Sequence, residues 1–274
     1  MKHWIEVNRT ALRYELTGAD LPGAELSRDR PSTLVLVHEM GGTLDSWDHV
    51  LPALSATRRV LRYDTRGAGQ SEKLSATPTM ALMADDIAAL LDALGIGGRV
   101  AIAGCAVGGG IAMTFALRHA ARTAALVAMG PATGIAPERR AATLARADST
   151  AKSGMAAVVE ESFAASYPPE VRHDAEHYRT FRARWLANDP HSYAAIYRML
   201  VDTDLSSSYG AIACPTLLLA GIHDRLRPPA LVEPIAQAIP GARFQALDSG
   251  HFMAVQTPAL VAEAIGGFLA SLKL

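Results

Sequence analysis

Short apolar segments alternate with segments of helical periodicity along most of the chain. Two alternating segments near the start predict an antiparallel hairpin around Asn8-Arg9-Thr10. Runs that are typical of buried strands follow at 33–37, 60–63, 100–103, 125–129, 216–220 and 243–247. Apolar residues at helical spacing occur between and after them, at Met83, Ile87, Leu90, Leu94 and at Val261, Ile265, Phe268, Leu272. Thr257-Pro258 is expected to supply the N-cap and the first turn of the last of these helices. This alternation predicts an α/β fold with a mainly parallel sheet flanked by helices.

The alternation stops between residues 131 and 210, where no segment has a convincing strand pattern. This stretch is rich in alanine, arginine and aromatic residues, and Pro168-Pro169 and Asp189-Pro190 interrupt it. We interpret it as a helical insertion between two strands of the sheet. The expected organisation is therefore a core formed by residues 1–130 and 211–274, with a helical cap formed by residues 131–210.

The composition is globular, since 50% of the 274 residues are hydrophobic, 19% are charged and the net charge is −1. This balance predicts no nucleic-acid partner and no binding to an anionic membrane. The uncharged run from Val100 to Leu117 is about as long as a membrane span, but its central glycines favour a buried strand that turns into a buried helix. We expect a small-molecule substrate as the partner, and a homodimer stays open.

Two features favour a cytoplasmic protein. The first residues lack the apolar segment of a signal peptide. Cys105 and Cys214, the two cysteines of the chain, fall within or beside predicted buried strands, which favours reduced thiols over a disulfide framework. We expect no metal and no cofactor.

The candidate chemistry begins at Gly104-Cys105-Ala106-Val107-Gly108, between a predicted strand and a predicted helix. This is the G-x-S-x-G frame, in which a strained turn presents its central residue as the nucleophile. Here that residue is Ala106, and small residues stand two positions before and after it, as close approach of strand and helix requires. A frame centred on Cys105 would put Ala103 and Val107 at those positions, and valine fits poorly. We therefore interpret Cys105 as a buried thiol.

A histidine and an acid follow in the chain order that this frame requires. His251 comes after the last predicted strand and is our candidate general base, while Asp224 comes after the preceding strand and is our candidate acid for orienting the imidazole. Both fall at carboxyl ends of strands, where open α/β sheets bind ligands. Asp248 is the alternative acid, although it lies only three residues before His251.

Backbone N–H groups are expected to bind the oxyanion. One candidate is Val107, directly after the apex of the turn, and the other is Met40 or Glu39 in the loop after the first buried strand. A carboxylate at Glu39 would repel negative charge that develops on the substrate. We therefore favour a Glu39 side chain that is turned outward or paired, and we keep Glu39 as a candidate substrate contact.

Several motifs together resemble the 3-oxoadipate enol-lactonase-like group of α/β-hydrolases. They are the segment from Arg62 to Ser71, the pentapeptide at 104–108, the segments 220–224 and 249–251, and Asn8 with 12–18 in the hairpin. The resemblance covers residues 3–130 and 211–272. It implies a hydrolase that cleaves an ester, lactone or amide bond in a small carboxylated metabolite, and it implies that residues 64–71 form a structural turn.

A substrate carboxylate in an apolar pocket needs a charged partner, and the bidentate guanidinium of arginine suits it. Arg139 and Arg140 come soonest after the strand that precedes the cap, and Arg198 lies among aromatic and apolar residues. These arginines are the candidate substrate-binding residues of the cap.

Ala106 cannot attack a carbonyl carbon, and two explanations stay open. Either alanine replaces a natural serine, or alanine is natural and His251 activates water or substrate without a covalent step. An original cysteine or aspartate is a third possibility. Outside hydrolysis, the alternatives are a lyase or carbon–carbon bond enzyme on the same fold, or a small-molecule binding protein.

Overall fold

The computed structural model describes residues 1–18 and 33–274, so residues 19–32 of the expected core lie outside the described part. The described residues form a sheet whose spatial order is β1-β2-β4-β3-β5-β6-β7-β8. Only the pairs β1–β2 and β2–β4 within it are antiparallel. The strands are β1 Lys2–Val7, β2 Thr10–Thr17, β3 Thr33–Val37, β4 Arg59–Tyr63, β5 Val100–Cys105, β6 Thr123–Met129, β7 Thr216–Gly221 and β8 Arg243–Leu247. The predicted α/β fold with a mainly parallel sheet is confirmed.

Helices cover both faces of the sheet. They are α1 Leu51–Ser55, α2 Met80–Ala93, α3 Val107–Arg118, α4 Pro137–Ser153, α5 Val159–Ser166, α6 Ala175–Leu186, α7 Pro190–Val201, α8 Pro229–Ala238, α9 Met253–Gln256 and α10 Pro258–Ser271. Successive strand side chains point to opposite faces. Val35 and Val37 accordingly pack in one apolar cluster with α2, α3 and α8, whereas Leu34 and Leu36 pack in another with α1, α9 and α10.

Helices α4 to α7 fill the chain between β6 and β7, the stretch in which the sequence has no strand pattern. An isolated antiparallel bridge between Gly134 and Asp204 closes the base of this insertion. The aromatic residues of the insertion form a third apolar cluster around Phe163, and Phe252, directly after His251, belongs to the same cluster. The helical insertion therefore packs against Phe252, the residue directly after the candidate base His251.

Two details of the sequence prediction are wrong. The segment 243–247 is a strand, but it is not buried, because β8 is the last strand in the sheet and pairs only with β7. Thr257 precedes α10 without capping it, since its hydroxyl donates to Ser249 Oγ.

The run from Val100 to Leu117 is divided between β5 and α3, as predicted. Across residues 1–18 and 33–274, no helix combines the length and the apolar character that crossing a bilayer would require.

Candidate active site

Ala106 occupies the sharp turn between β5 and α3. Its backbone has φ 52° and ψ −114°, a conformation that side-chain-bearing residues rarely adopt. Its carbonyl oxygen accepts hydrogen bonds from the N–H groups of Gly110 (3.2 Å) and Ala132 (2.9 Å). Such strain persists only where the surrounding structure holds it, and it concentrates at functional sites. Ala106 therefore has the backbone conformation of a nucleophile at the apex of this turn.

The two glycines of the pentapeptide are steric requirements of this turn. A Cβ atom on Gly104 would lie 2.1 Å from the carbonyl oxygen of Gly108, and a Cβ atom on Gly108 would lie 2.3 Å from that of Val37. Both clashes are with backbone, which cannot move aside cheaply. The close approach of strand and helix is thus centred on Ala106, the frame favoured from the sequence.

Cys105 points away from the apex. Its Sγ atom lies 3.3 Å from the carbonyl oxygen of His251, and the side chain is fully buried. Burial raises the pKa of the Cys105 thiol well above its usual value. A buried neutral thiol is a poor nucleophile.

His251 and Asp224 form a hydrogen-bonded pair. His251 Nδ1 lies 2.7 Å from Asp224 Oδ2, and Asp224 Oδ1 accepts hydrogen bonds from the N–H groups of Leu226 (2.8 Å) and Arg227 (2.9 Å). Burial alone would raise the pKa of Asp224, but the charge of His251 and these hydrogen bonds outweigh it and lower that pKa. An ionised Asp224 can only accept, so Nδ1 carries the proton and Nε2 is left as the basic atom.

The side chain of Asp248, the alternative acid, contacts His223 and not His251. Its Oδ1 atom lies 2.8 Å from Nε2 of His223, and its side chain is 75% exposed. Asp248 therefore pairs with a surface histidine, and Asp224 is the acid that contacts His251.

Met40 and Val107, whose N–H groups are the candidate oxyanion donors, line a small cavity whose walls include neither Ala106 nor His251. Neither N–H group donates a hydrogen bond to another group within residues 1–18 and 33–274. The cavity has a volume of about 30 Å³, and its walls also include Glu39. Such a space holds only a few water molecules, so any substrate that occupies it is small or displaces part of the cap.

Glu39 does not point outward. The residue is 0% exposed, and its Oε1 atom accepts a hydrogen bond from Ser46 Oγ at 2.6 Å. The other carboxyl oxygen, Oε2, has no hydrogen-bond partner among the residues that the structure describes. Burial raises the pKa of Glu39, against weaker opposing effects of His38, Ser46 and His251. Of the two expected arrangements, turned outward or paired, the structure shows the second, at one carboxyl oxygen.

The cap arginines chosen from the sequence do not line this cavity. Arg139 and Arg140 are exposed, and the side chain of Arg198 pairs with Asp148 at 2.6 Å. Arg140 Nε donates to the carbonyl oxygen of Ile135 at 3.4 Å, and the Arg198 side chain is only partly exposed. This cavity does not support their expected contact with the substrate, which stays a prediction.

The comparisons with known proteins agree with this geometry. A family model described as the alpha/beta hydrolase fold matches residues 32–169. The chain belongs to the α/β-hydrolase fold family. The chain is 32% identical over 231 residues to the putative carbamate hydrolase RutD of Pantoea ananatis. The aligned residues cover 82% of this chain and 84% of that protein. The predicted resemblance to α/β-hydrolases and the hydrolase class of enzyme are confirmed.

Two further relatives belong to the lactonase group that the sequence motifs resemble. The 3-oxoadipate enol-lactonase 1 of Acinetobacter baylyi is 27% identical, over 88% of this chain and 89% of that protein. The crystal structure of the enol-lactonase from Burkholderia xenovorans superposes with a TM-score of 0.87 at 28% identity, over 98% of this chain and 100% of that one.

No sequence pattern pointed to the residues that connect the helical insertion of this α/β-hydrolase to the loop at 38–42, which carries the candidate oxyanion donor Met40. Asn188 Nδ2 donates to the carbonyl oxygen of Gly41 at 2.8 Å, and a Cβ atom on Gly41 would lie 2.3 Å from the Trp185 indole nitrogen. Tyr193 and Asn188 also line the cavity. Their spacing from residues 38–42 is too long for any sequence pattern to link them. Clusters of metal-ligating side chains are absent from residues 1–18 and 33–274.

Proposed function

We propose that this α/β-hydrolase cleaves a small ester, lactone or carbamate by direct attack of water, which His251 activates. The observation that carries the proposal is the hydrogen-bonded pair of Asp224 and His251. It accompanies a sharp turn between β5 and α3 whose apex residue, Ala106, has no reactive group. A general base that is oriented by a buried acid serves water as well as it serves a serine hydroxyl.

The reaction follows from the positions of these groups. His251 Nε2 accepts a proton from water, and the water oxygen forms a bond to the substrate carbonyl carbon. The carbonyl oxygen becomes an oxyanion, which the N–H groups of Met40 and Val107 stabilise. The bond from carbon to the leaving group then breaks, and the leaving atom takes the proton from the His251 imidazolium. The charge of Asp224 stabilises that imidazolium while it exists.

The residues around the candidate oxyanion donors favour a neutral acyl group over a carboxylate. Arg66 is the arginine among its lining residues, and its Nε and Nη2 atoms already donate to Asp86 at 2.8 and 2.7 Å. Met40, Ile111 and Ile196 provide apolar walls. Because no unpaired cation lines the cavity within the described residues, we propose a neutral acyl compound in place of the carboxylated metabolite that the resemblance implies. The names of the relatives suggest lactones and carbamates as the first compounds to test.

Isotope labelling tests the proposal. In water labelled with heavy oxygen, hydrolysis of a small aryl ester or lactone should place the label in the acid product. The variant H251A should lose this activity, while the uncatalysed rate stays the same. Product that is formed without label from the solvent would contradict hydrolysis.

A second candidate is a lyase or other proton-transfer reaction. It is favoured by the combination of a base at His251 and a buried acid at Glu39 with no nucleophile between them. The same labelled water separates the two reactions, because a lyase moves protons but adds no solvent oxygen to the product.

A further inference from the structure

Glu39 differs from Asp64 and Asp86, two other buried acids of the described part of the chain. Asp64 pairs with Arg13 at 3.2 Å, and Asp86 pairs with Arg66 at 2.7 Å. The carboxyl group of Glu39 is just as buried, but no cationic group lies within 4.0 Å of it among residues 1–18 and 33–274. Its partner is the neutral Ser46 hydroxyl, and Oε2 has none. An ionised carboxylate in this position would carry the full cost of an unpaired buried charge.

The titratable groups that face Glu39 come from three elements. His38 follows β3, Cys105 ends β5, and His251 follows β8. His38 Nε2 accepts the N–H of Thr65 at 3.0 Å, and its Nδ1 lies 2.7 Å from the Glu39 carbonyl oxygen, so neither ring nitrogen is left for the Glu39 carboxyl group. The raised pKa of the Cys105 thiol keeps that group uncharged. His251 is the one facing group whose charge changes during the proposed reaction.

Gly42 leaves free the space that the Glu39 carboxyl group occupies. A Cβ atom on Gly42 would lie 2.1 Å from Glu39 Oε1, so any other residue at position 42 would displace it. Glu39 also lines the same cavity as the candidate oxyanion donors Met40 and Val107. The protein thus keeps a buried acid, one oxygen of which has no partner among the described residues, in the wall of the cavity that the candidate oxyanion donors also line.

We propose that Glu39 is a catalytic hydrogen-bond donor, which as a neutral carboxylic acid donates from Oε2 to the substrate oxygen that becomes negatively charged. This inference rests on the proposed hydrolysis. A neutral acid attracts the developing charge, whereas a carboxylate would repel it, and the dry surroundings strengthen the interaction. Burial without a cation is the known way to keep a carboxylic acid neutral near neutral pH. Glu39 would add a third donor to Met40 and Val107.

Substitutions separate this role from the alternatives. E39Q keeps a neutral N–H donor, so its kcat should stay within about tenfold of the parent, whereas E39A should lose about 10²- to 10³-fold in kcat with little change in KM. Glu233→Gln, on the exposed face of α8, is the matched control and should have the same kcat and KM as the parent. If E39Q is as poor as E39A, proton transfer or an ionised carboxylate is needed instead. If E39A keeps full kcat, Glu39 has no catalytic role.

The pH profile gives a readout that a purely structural role would not move. Activity should fall on the alkaline side as Glu39 ionises, and E39Q should lack this decline. A decline that is unchanged in E39Q would contradict the proposal.

Infrared difference spectroscopy tests the inference without turnover. The resting protein should show a C=O band of a protonated carboxyl group that E39Q lacks, and binding of a small alkyl phosphonate should shift the band. Absence of the band, or a band that bound phosphonate leaves unmoved, would overturn the donor role. This result stands apart from hydrolysis, because a protein that fails the labelling test can still show the band and its shift.

Discussion

His251 Nδ1 and Asp224 Oδ2 lie 2.7 Å apart, and the two side chains are buried at the carboxyl ends of neighbouring strands. The backbone N–H groups that bind the other oxygen of Asp224 fix the carboxylate, and the carboxylate fixes the imidazole. One tautomer is selected in this way, and the Nε2 atom is left as a base. The absence of a hydroxyl at Ala106 does not alter this arrangement.

Asp224→Asn should lower kcat by about 10⁴-fold and leave the fold intact, because an amide can donate to Nδ1 and so favours the wrong tautomer. Steady-state kinetics with a small nitrophenyl ester would measure the loss. Asp248→Asn is the matched control, since it removes a carboxylate three residues from His251 that pairs with His223. A large loss in D248N and none in D224N would reverse the assignment of the acid.

Ala106→Ser should not raise turnover, because on the proposed mechanism the new hydroxyl would occupy the space that the attacking water needs. Rapid-mixing kinetics with the same ester would detect an acyl-enzyme as a burst of nitrophenol. A rise of about 10³-fold or more, with such a burst, would show instead that alanine stands in place of a catalytic serine.

Gly108→Ala should destabilise the protein by about 1–3 kcal/mol, because the added Cβ would lie 2.3 Å from the backbone oxygen of Val37 and strand and helix would have to separate. Denaturant unfolding would measure the change. Gly267→Ala in α10 is the matched control, since a Cβ there meets nothing within 4 Å and should stabilise the helix by about 0.5–1 kcal/mol. Equal effects at the two positions would contradict the steric argument.

Arg198→Ala should leave the KM ratio between a carboxylate substrate and its neutral methyl ester unchanged. Its guanidinium pairs with Asp148 on the partly exposed surface of the insertion, outside the cavity. Parallel KM measurements on the two compounds provide the test. A ratio that rises about tenfold would restore this arginine as a substrate contact.

The sequence predicted the features that depend on local sterics and on hydrophobic patterning. Buried strands are continuous apolar runs, and the turn between β5 and α3 needs small residues at Gly104 and Gly108. The strands and the turn could therefore be recognised without tertiary information. Chain order was enough to choose His251 and Asp224. The orientation of Asp248 could not be decided in this way, because it depends on a surface contact with His223.

The features that the sequence could not decide depend on neighbours that are distant in the chain. The exposure of β8 follows from its place at the edge of the sheet, which its composition does not reveal. The inward orientation of Glu39 depends on the hydroxyl of Ser46 and on the missing side chain of Gly42. Arg198 is held by Asp148, fifty residues earlier.

The burial of Glu39 predicts how its removal changes stability with pH. Its pKa is raised in the folded state, so below the ordinary glutamate pKa of about 4.3 the group is protonated in both states and imposes no penalty. As the pH rises above that value, the unfolded chain ionises while the folded protein keeps its proton. The unfolded state then binds fewer protons, and the free energy of unfolding falls by about 1.4 kcal/mol per pH unit until the folded group ionises as well.

Glu39→Gln removes this penalty, since glutamine does not titrate. The difference in unfolding free energy between E39Q and the parent should therefore move in favour of E39Q from pH 4 to neutral pH, whatever its value at pH 4. Thermal and denaturant unfolding at several pH values would measure it, with Glu233→Gln on the exposed face of α8 as a control that should show no such trend. A difference that stays constant with pH would mean that Glu39 ionises in the folded protein as readily as in the unfolded chain, and the neutral acid would then have no physical basis.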